Sequence, residues 1–253
     1  MSFCLAIAMH KPALLPEGSR DFAALGLGGF RPVTSLTTFT DDTGDSISGK
    51  NLHYSELTGW YWLWKNIRDV EVIGLCHYRR YFLLGEKFLT ISAPKIYLAP
   101  VASNIERFAT PNMTGFVEQA LSVADVIVAR RQHLGMPLAA QYASCHPRED
   151  WDLFLQAIHE TCPDFRSSAA WFDLETQAHL YNMMIAPRAF LGAYMPRLFA
   201  VTEWMERQRP FRTDPYQCRI PSFIAERFFS FYLHVTRARR FEVPVAILDE
   251  NAF

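Results

Sequence analysis

Apolar residues fall along this chain in two patterns that alternate from end to end. Short, largely apolar runs at Phe3–Met9, Val72–Cys76, Asp125–Ala129, Leu180–Ala186 and Phe241–Ile247 have the length of strands. Runs apolar at every position, rather than at alternate ones, belong to sheets covered on both faces. Between them, apolar positions recur every three or four residues, as in a helix with one face on a core. Leu57, Trp60, Tyr61, Trp64 and Ile67 mark such a helix over 54–66, with Ser55 as N-cap and Glu56 in the first turn. Further helices are predicted over 114–124, 137–145, 148–160 behind Pro147, 188–207 and 222–236. Strands alternating with helices predict an α/β fold, and Pro244 predicts that the final run is an edge strand. Residues 12–40, rich in Pro and Gly, show little periodicity, and 83–113 carry only a weak strand signal at Tyr97–Ala99.

The run at Val72–Cys76 ends in His77-Tyr78-Arg79-Arg80-Tyr81-Phe82, an abrupt change from apolar to cationic and aromatic. Open α/β sheets bind ligands outside the carboxyl ends of their strands. Two adjacent guanidiniums there suit a phosphate or diphosphate; an arginine pair salt-bridged to nearby helices is the competing reading. His10-Lys11 and Arg130-Arg131 repeat the pattern after two other runs.

Composition narrows the classes. At 253 residues, half hydrophobic and one-fifth charged, the chain can bury a sizeable core. A formal net charge of −1 gives no global field for nucleic acid or anionic lipid, so any anion site is local. The five cysteines form no CxxC pair, which argues against a disulfide framework and for a reducing compartment. Phe3–Met9 is too short to span a bilayer and lacks a basic leader, so a cytoplasmic protein is expected.

Some chemistry is missing: there is no GxGxxG, P-loop, HExxH or GxSxG. Asp41–Asn51 is a polar loop with three carboxylates, which fits a sugar- or cation-binding loop and a surface turn equally well. Asp150-Trp151-Asp152 has the spelling of a metal-binding aspartate pair, but lies within a helix, where i and i+2 point apart. His146 and Asp150, four apart, could share a side and hold a sugar hydroxyl or make a base. Glu226 in the final helix and Asn182 in an apolar run are polar groups at buried places, either paired structurally or kept for ligands.

Six segments, read together, resemble a bacterial family known as domain of unknown function 4422. They are His10-Lys11, DDTGDSISGKNLHYSELTGWYWLWKN, VIGLCHYRRYF, QYASCHPREDWDLF, HLYNMMIAPRAFLGAY and FIAERFF with FEVPV, in the family's order and spanning nearly the whole chain. Ser46, Met184 and Ala186 depart from the expected residues, as does the loop after Lys11. The resemblance implies a GT-A-like, Rossmann-type sheet flanked by helices in one domain over 1–253. Its nucleotide-sugar half would cover about 1–130 and its helical acceptor-side half about 131–253. It implies a galactofuranosyltransferase-like enzyme of capsule, exopolysaccharide or O-antigen synthesis, using a UDP-sugar and a glycan or lipid-linked acceptor. Such an acceptor would bring it peripherally to the inner membrane, through exposed aromatics or Arg237, Arg239 and Arg240.

On this resemblance His10, Lys11, Asp45, Lys50, Asn51, Tyr54, Glu56, His77, Tyr78, Arg79, Arg80 and Asn182 are expected to bind the donor, and His146 and Asp150 the acceptor. Glu226 is the expected catalytic base and Asp150 the second choice. Related enzymes place metal-binding aspartates where this chain has His77-Tyr78-Arg79-Arg80. The expectation is therefore transfer without a metal, the guanidiniums and an imidazole meeting the leaving-group charge in place of Mg²⁺ or Mn²⁺. The alternative is a non-catalytic glycan- or nucleotide-sugar-binding module.

Overall fold

A computed structural model of the chain describes residues 1–251. Strands β1 (Phe3–Met9), β2 (Phe22–Gly26) and β3 (Thr37–Thr40) come first, then helices α1 (Asn51–Tyr54) and α2 (Leu57–Asn66). Next are β4 (Val72–His77), β5 (Arg80–Phe82), α3 (Glu86–Leu89), β6 (Lys95–Leu98), α4 (Ala102–Ile105) and α5 (Met113–Val123). These lead through β7 (Val126–Ala129) and β8 (Gln132–His133) to α6 (Leu138–Cys145) and α7 (Arg148–Thr161). The last part holds β9 (Gln177–Ala178), β10 (Met184–Pro187), α8 (Arg188–Gln208), α9 (Ile220–Val235), β11 (Arg240–Val243) and β12 (Val245–Leu248).

The main sheet runs β11-β7-β10-β4-β1-β2-β3, with β5, β6 and β12 extending it beside β4. It is mixed: β4 is parallel to β1 and antiparallel to β10. Because β10 lies between β4 and β7, the first and second halves of the chain share one sheet.

Strand side chains alternate between two cores. Ala6, Ala8, Ile73, Leu75, Val126 and Val128 face α2, α7, α8 and α9, meeting Trp60, Phe154, Leu198 and Phe228. Leu5, Ile7, Val72, Cys76, Ile127 and Ile185 face the other way, towards Phe116 and Val117 of α5 and Phe108. With both faces covered, the strands read in sequence as unbroken apolar runs.

Gly74 sits where β1, β4 and β10 meet. A Cβ there would lie 2.7 Å from both Leu5 Cδ1 and Ile185 Cγ1, on the two neighbouring strands. Gly74→Val should destabilise the fold by roughly 1–3 kcal/mol through overpacking. Urea unfolding would record this as a lower midpoint at unchanged slope, and an unshifted midpoint would refute it.

Four expectations change. β2 and β3 lie in the stretch that showed no periodicity; they are four or five residues long, too short to build a pattern. The helix over 54–66 is broken at Ser55, whose φ of 47° separates α1 from α2 and leaves Glu56 as the N-cap. The run Leu180–Ala186 forms a strand only from Met184, because Tyr181 and Asn182 adopt φ of 81° and 50° and turn the chain. Phe241–Ile247 is two strands, not one. β11 lies at the sheet edge parallel to β7, and beyond Pro244 β12 pairs with β5 and β6.

Candidate functional site

The carboxyl ends of β1, β4 and β7 and the start of β10 lie along one edge, as the registers Ala8↔His77, Leu75↔Met184 and Met184↔Val128 require. At its centre β4 reverses into β5 through a two-residue turn, His77 pairing with Arg80 across Tyr78-Arg79. The turn is tied down from two sides. Tyr78 N donates to Ala8 O at 3.1 Å, and Leu248 N donates to Arg79 O at 2.8 Å. The buried Tyr78 ring packs against His77 and His10, at centroid distances of 4.6 and 5.4 Å. Lys11 Nζ and Arg79 Cζ lie 5.9 and 5.4 Å from the same ring. Arg80 Cζ stands 5.0 Å over the Tyr181 ring.

Arg79 is exposed and Arg80 half-buried. Among the described residues neither pairs with a carboxylate, and both line a cavity of about 720 Å³ with Lys11, Tyr78, Asp249 and Glu250. The basic end of β7 differs. Arg130 Nη1 donates to the carbonyls of Ile91, Ser92 and Ala93, and Arg131 pairs with Glu242 at 3.0 Å. Those cations serve the fold, whereas the ones after β1 and β4 remain open to a ligand.

His77 is neutral. Burial first, then Arg80 and Arg79, pull its imidazole down to about 3. Its Nδ1 is buried without a partner among the described residues. Positive charge at the edge therefore rests on Lys11, Arg79 and Arg80, and His77 offers a hydrogen bond rather than a charge.

A second cluster adjoins the first through Tyr181. Glu226 Oε1 accepts from Tyr181 N at 2.7 Å, and Oε2 from Arg227 Nη1 at 2.8 Å. Its side chain keeps 20% of its exposure. Burial raises the Glu226 carboxyl, opposed by the Arg227 charge and the Tyr181 N–H, with smaller effects from Glu56 (raising) and Arg80 (lowering). The buried Asn182 donates from Nδ2 to Glu56 Oε1 at 2.7 Å and to Ser222 O at 3.0 Å. Ser222 Oγ donates to the same Glu56 oxygen at 3.1 Å. Glu56 Oε2 has no protein partner among the described residues.

Tyr181 and Asn182 in this cluster, and Ser55 next to Glu56 in the chain, are non-glycine residues with positive φ. Such backbone persists only where its surroundings over-determine it. Trp60 Nε1 donates to Asn182 O at 2.7 Å, and Gln132 Nε2 to the Tyr181 hydroxyl at 2.6 Å.

The remaining sequence-predicted residues are engaged within the protein. Lys50 Nζ pairs with Glu206 at 2.6 Å, and the Tyr54 hydroxyl donates to the same carboxylate at 2.9 Å. Asn51 Nδ2 donates to Ser55 O and Thr58 Oγ1, and Asp45 accepts from the Tyr61 hydroxyl, each at 2.9 Å. The polar loop is thus fastened to α2 and α8. Its anchor, Asp41, was not singled out in the sequence: fully buried, it accepts from Gly28 N, Ser48 Oγ and Thr58 Oγ1 at 3.0, 2.6 and 2.5 Å. Partners so scattered leave no periodic trace.

Asp150 is fully buried and held by Arg209 and Arg212, while Asp152 turns outward to Arg148 at 3.3 Å. The aspartate triplet does not converge. His146 donates from Nδ1 to Gln217 Oε1 at 2.9 Å and stacks on Phe223 at 4.1 Å; its partner is not Asp150. Among the described residues no group of three or more His, Cys, Asp or Glu side chains could hold a metal ion. Arg239 of the basic cluster pairs with Asp125 at 2.8 Å. No described helix is long and apolar enough to cross a membrane.

A mixed sheet with helices on both faces, and a cleft at its carboxyl edge lined by Lys11, Arg79 and Arg80 with Asp249 and Glu250, defines an α/β protein with a polar cleft where open α/β sheets hold ligands. The chain belongs to the family described as Domain of unknown function (DUF4422), whose model matches residues 5–237. It is similar to a solved structure described as a WbbM bifunctional glycosyltransferase in its apo form, with a TM-score of 0.84 and 20% identity. The match covers 98% of this chain and 46% of that one, so this chain spans less than half of that protein's length. At this identity the likeness establishes a shared fold. No curated protein sequence matches the chain.

Proposed function

We propose that this protein is a glycosyltransferase that moves a sugar, galactofuranose, from a UDP donor to a glycan or lipid-linked acceptor in surface-polysaccharide synthesis at the cytoplasmic face of the inner membrane. The observation that carries the reading is the Arg79-Arg80 turn, without a carboxylate partner among the described residues, lining a cleft at the carboxyl end of the central strand. The glycosyltransferase fold of the WbbM structure supports the reaction class, and the family resemblance supports the choice of sugar.

In this reading the diphosphate lies against Lys11, Arg79 and Arg80, with Tyr78 as the floor. As the bond from the anomeric carbon to the β-phosphate oxygen breaks, its electron pair goes to that oxygen, and the guanidiniums meet the growing charge. An acceptor hydroxyl attacks the opposite face, and Glu226 takes its proton, giving inversion. Asn182 and Ser222 hold Glu56 so that its free oxygen can accept from a donor-sugar hydroxyl. The proposed step meets the leaving-group charge with Lys11, Arg79 and Arg80 and assigns none of it to a divalent ion.

Incubation with a panel of nucleotide sugars tests this reading. Slow release of UDP from one member, unchanged by EDTA, is expected. Binding without any release would favour an accessory module, and loss of turnover in EDTA with recovery in Mn²⁺ or Mg²⁺ would overturn the metal-free step.

A further inference from the structure

Four arginines surround the start and middle of α9, and three have carboxylates. Arg209 and Arg212 share Asp150, and Arg227 holds Glu226. Arg219 differs. Among the described residues its guanidinium meets no carboxylate and no hydrogen-bond acceptor, and its Nε, like that of Arg227, is buried without a partner. It is kept flat by two rings instead, with Cζ 4.9 Å from the Tyr216 centroid and 5.5 Å from that of Phe223. A half-buried guanidinium with no anion is a costly arrangement, and its planar fork of donors matches phosphate or carboxylate.

Its surroundings suit a sugar chain. Tyr216 is 52% exposed, an aromatic face open to solvent. His146 stacks on Phe223, and because Nδ1 donates to Gln217 Oε1, its Nε2 carries the lone pair and can accept from a hydroxyl. Arg219 is the N-cap of α9, and Glu226 lies on that helix seven residues further on, a backbone rise of roughly 10 Å.

We propose that Arg219, with Tyr216 and His146, forms a subsite for an anionic group of the acceptor, a phosphate or a sugar carboxylate, at the amino end of α9. This rests on the glycosyltransferase reading, because it gives the acceptor side of that site its charge preference. Charge next to a lipid anchor and charge on an acidic sugar share this chemistry, and the test separates them.

The protein would first be saturated with UDP to fill the Arg79-Arg80 cleft. It would then be titrated with inorganic pyrophosphate in one arm and glucuronate in the other, following ligand line-broadening by NMR. One arm should bind, at least tenfold more weakly in Arg219→Gln and to an intermediate degree in Arg219→Lys, with UDP affinity as the folding control. Binding in the pyrophosphate arm points to a phosphorylated acceptor, and binding in the glucuronate arm to an acidic glycan. Binding in neither arm, or binding that survives Arg219→Gln, would overturn the subsite. If UDP itself fails to bind, the nucleotide-sugar reading falls instead, and the same titration in an R79A/R80A background still reads Arg219.

Discussion

Replacing Arg79 and Arg80 together by alanine should weaken UDP binding by roughly 10²–10⁴-fold at low salt, since hydrogen bonds to charged groups contribute about 1.5–3 kcal/mol each. Among the described residues neither arginine has a carboxylate partner to lose, so the fold should be little affected, within about 0.5 kcal/mol. Lysine at both positions should recover only part of the affinity, because an ammonium keeps the charge but not the bidentate fork. Added salt should narrow the gap between wild type and the alanine variant, as screening weakens the wild-type contact. Calorimetric titration with UDP measures all of this, and an alanine variant that binds UDP as tightly as wild type would remove the basis of the functional reading. His77 is not expected to act in the same way. Its imidazole is neutral at working pH, so His77→Gln should change UDP affinity much less than either arginine.

The second large effect is expected at Glu226. Loss of a general base typically costs 10²–10⁴-fold in rate, so Glu226→Gln should lower kcat by about that factor while leaving UDP affinity nearly unchanged. The pH dependence has a definite sign. A base works deprotonated, and burial raises this carboxyl above the usual glutamate range. Turnover should therefore fall as pH drops through that raised value, placing the acidic limb of kcat/KM higher than for an exposed glutamate. In Glu226→Gln that limb should vanish. Asp150→Asn is the informative comparison. Its carboxylate is enclosed by Arg209 and Arg212, and breaking a buried ion pair costs about 3–5 kcal/mol, so its main effect should be on unfolding. If Asp150→Asn abolished turnover in a protein of wild-type stability while Glu226→Gln did not, the two roles would have to be exchanged.

Much of this protein can be read along the chain, and what can be read has a common cause. Strands β1, β4 and β7 are buried on both faces, so each appears as an unbroken apolar run that needs no partner to be recognised. Helices α2, α5, α7 and α8 each turn one face to a core and repeat every three or four residues, whereas α9 is enclosed on nearly every side and reads as a long apolar run. The cationic end of β4 is legible for the same reason: charge directly after a buried strand has nowhere to go but the carboxyl edge. The sequence by itself thus determined the α/β class, the position of the edge and the arginines that stand on it.

Only the tertiary structure decided which polar groups are free. Arg79-Arg80 and Arg130-Arg131 look alike in sequence, yet one pair faces a cleft and the other is taken up by carbonyls and Glu242. Asp150 and Glu226 are both carboxylates on helices, yet one is sealed between two arginines while the other keeps a face to the edge. β10 enters the sheet antiparallel, and Tyr181 and Asn182 bend away from it, because partners at Trp60, Gln132 and Ser222, forty or more residues distant, hold them there. A hydrogen bond or ion pair is a property of two places in space, and its second place is not written beside the first.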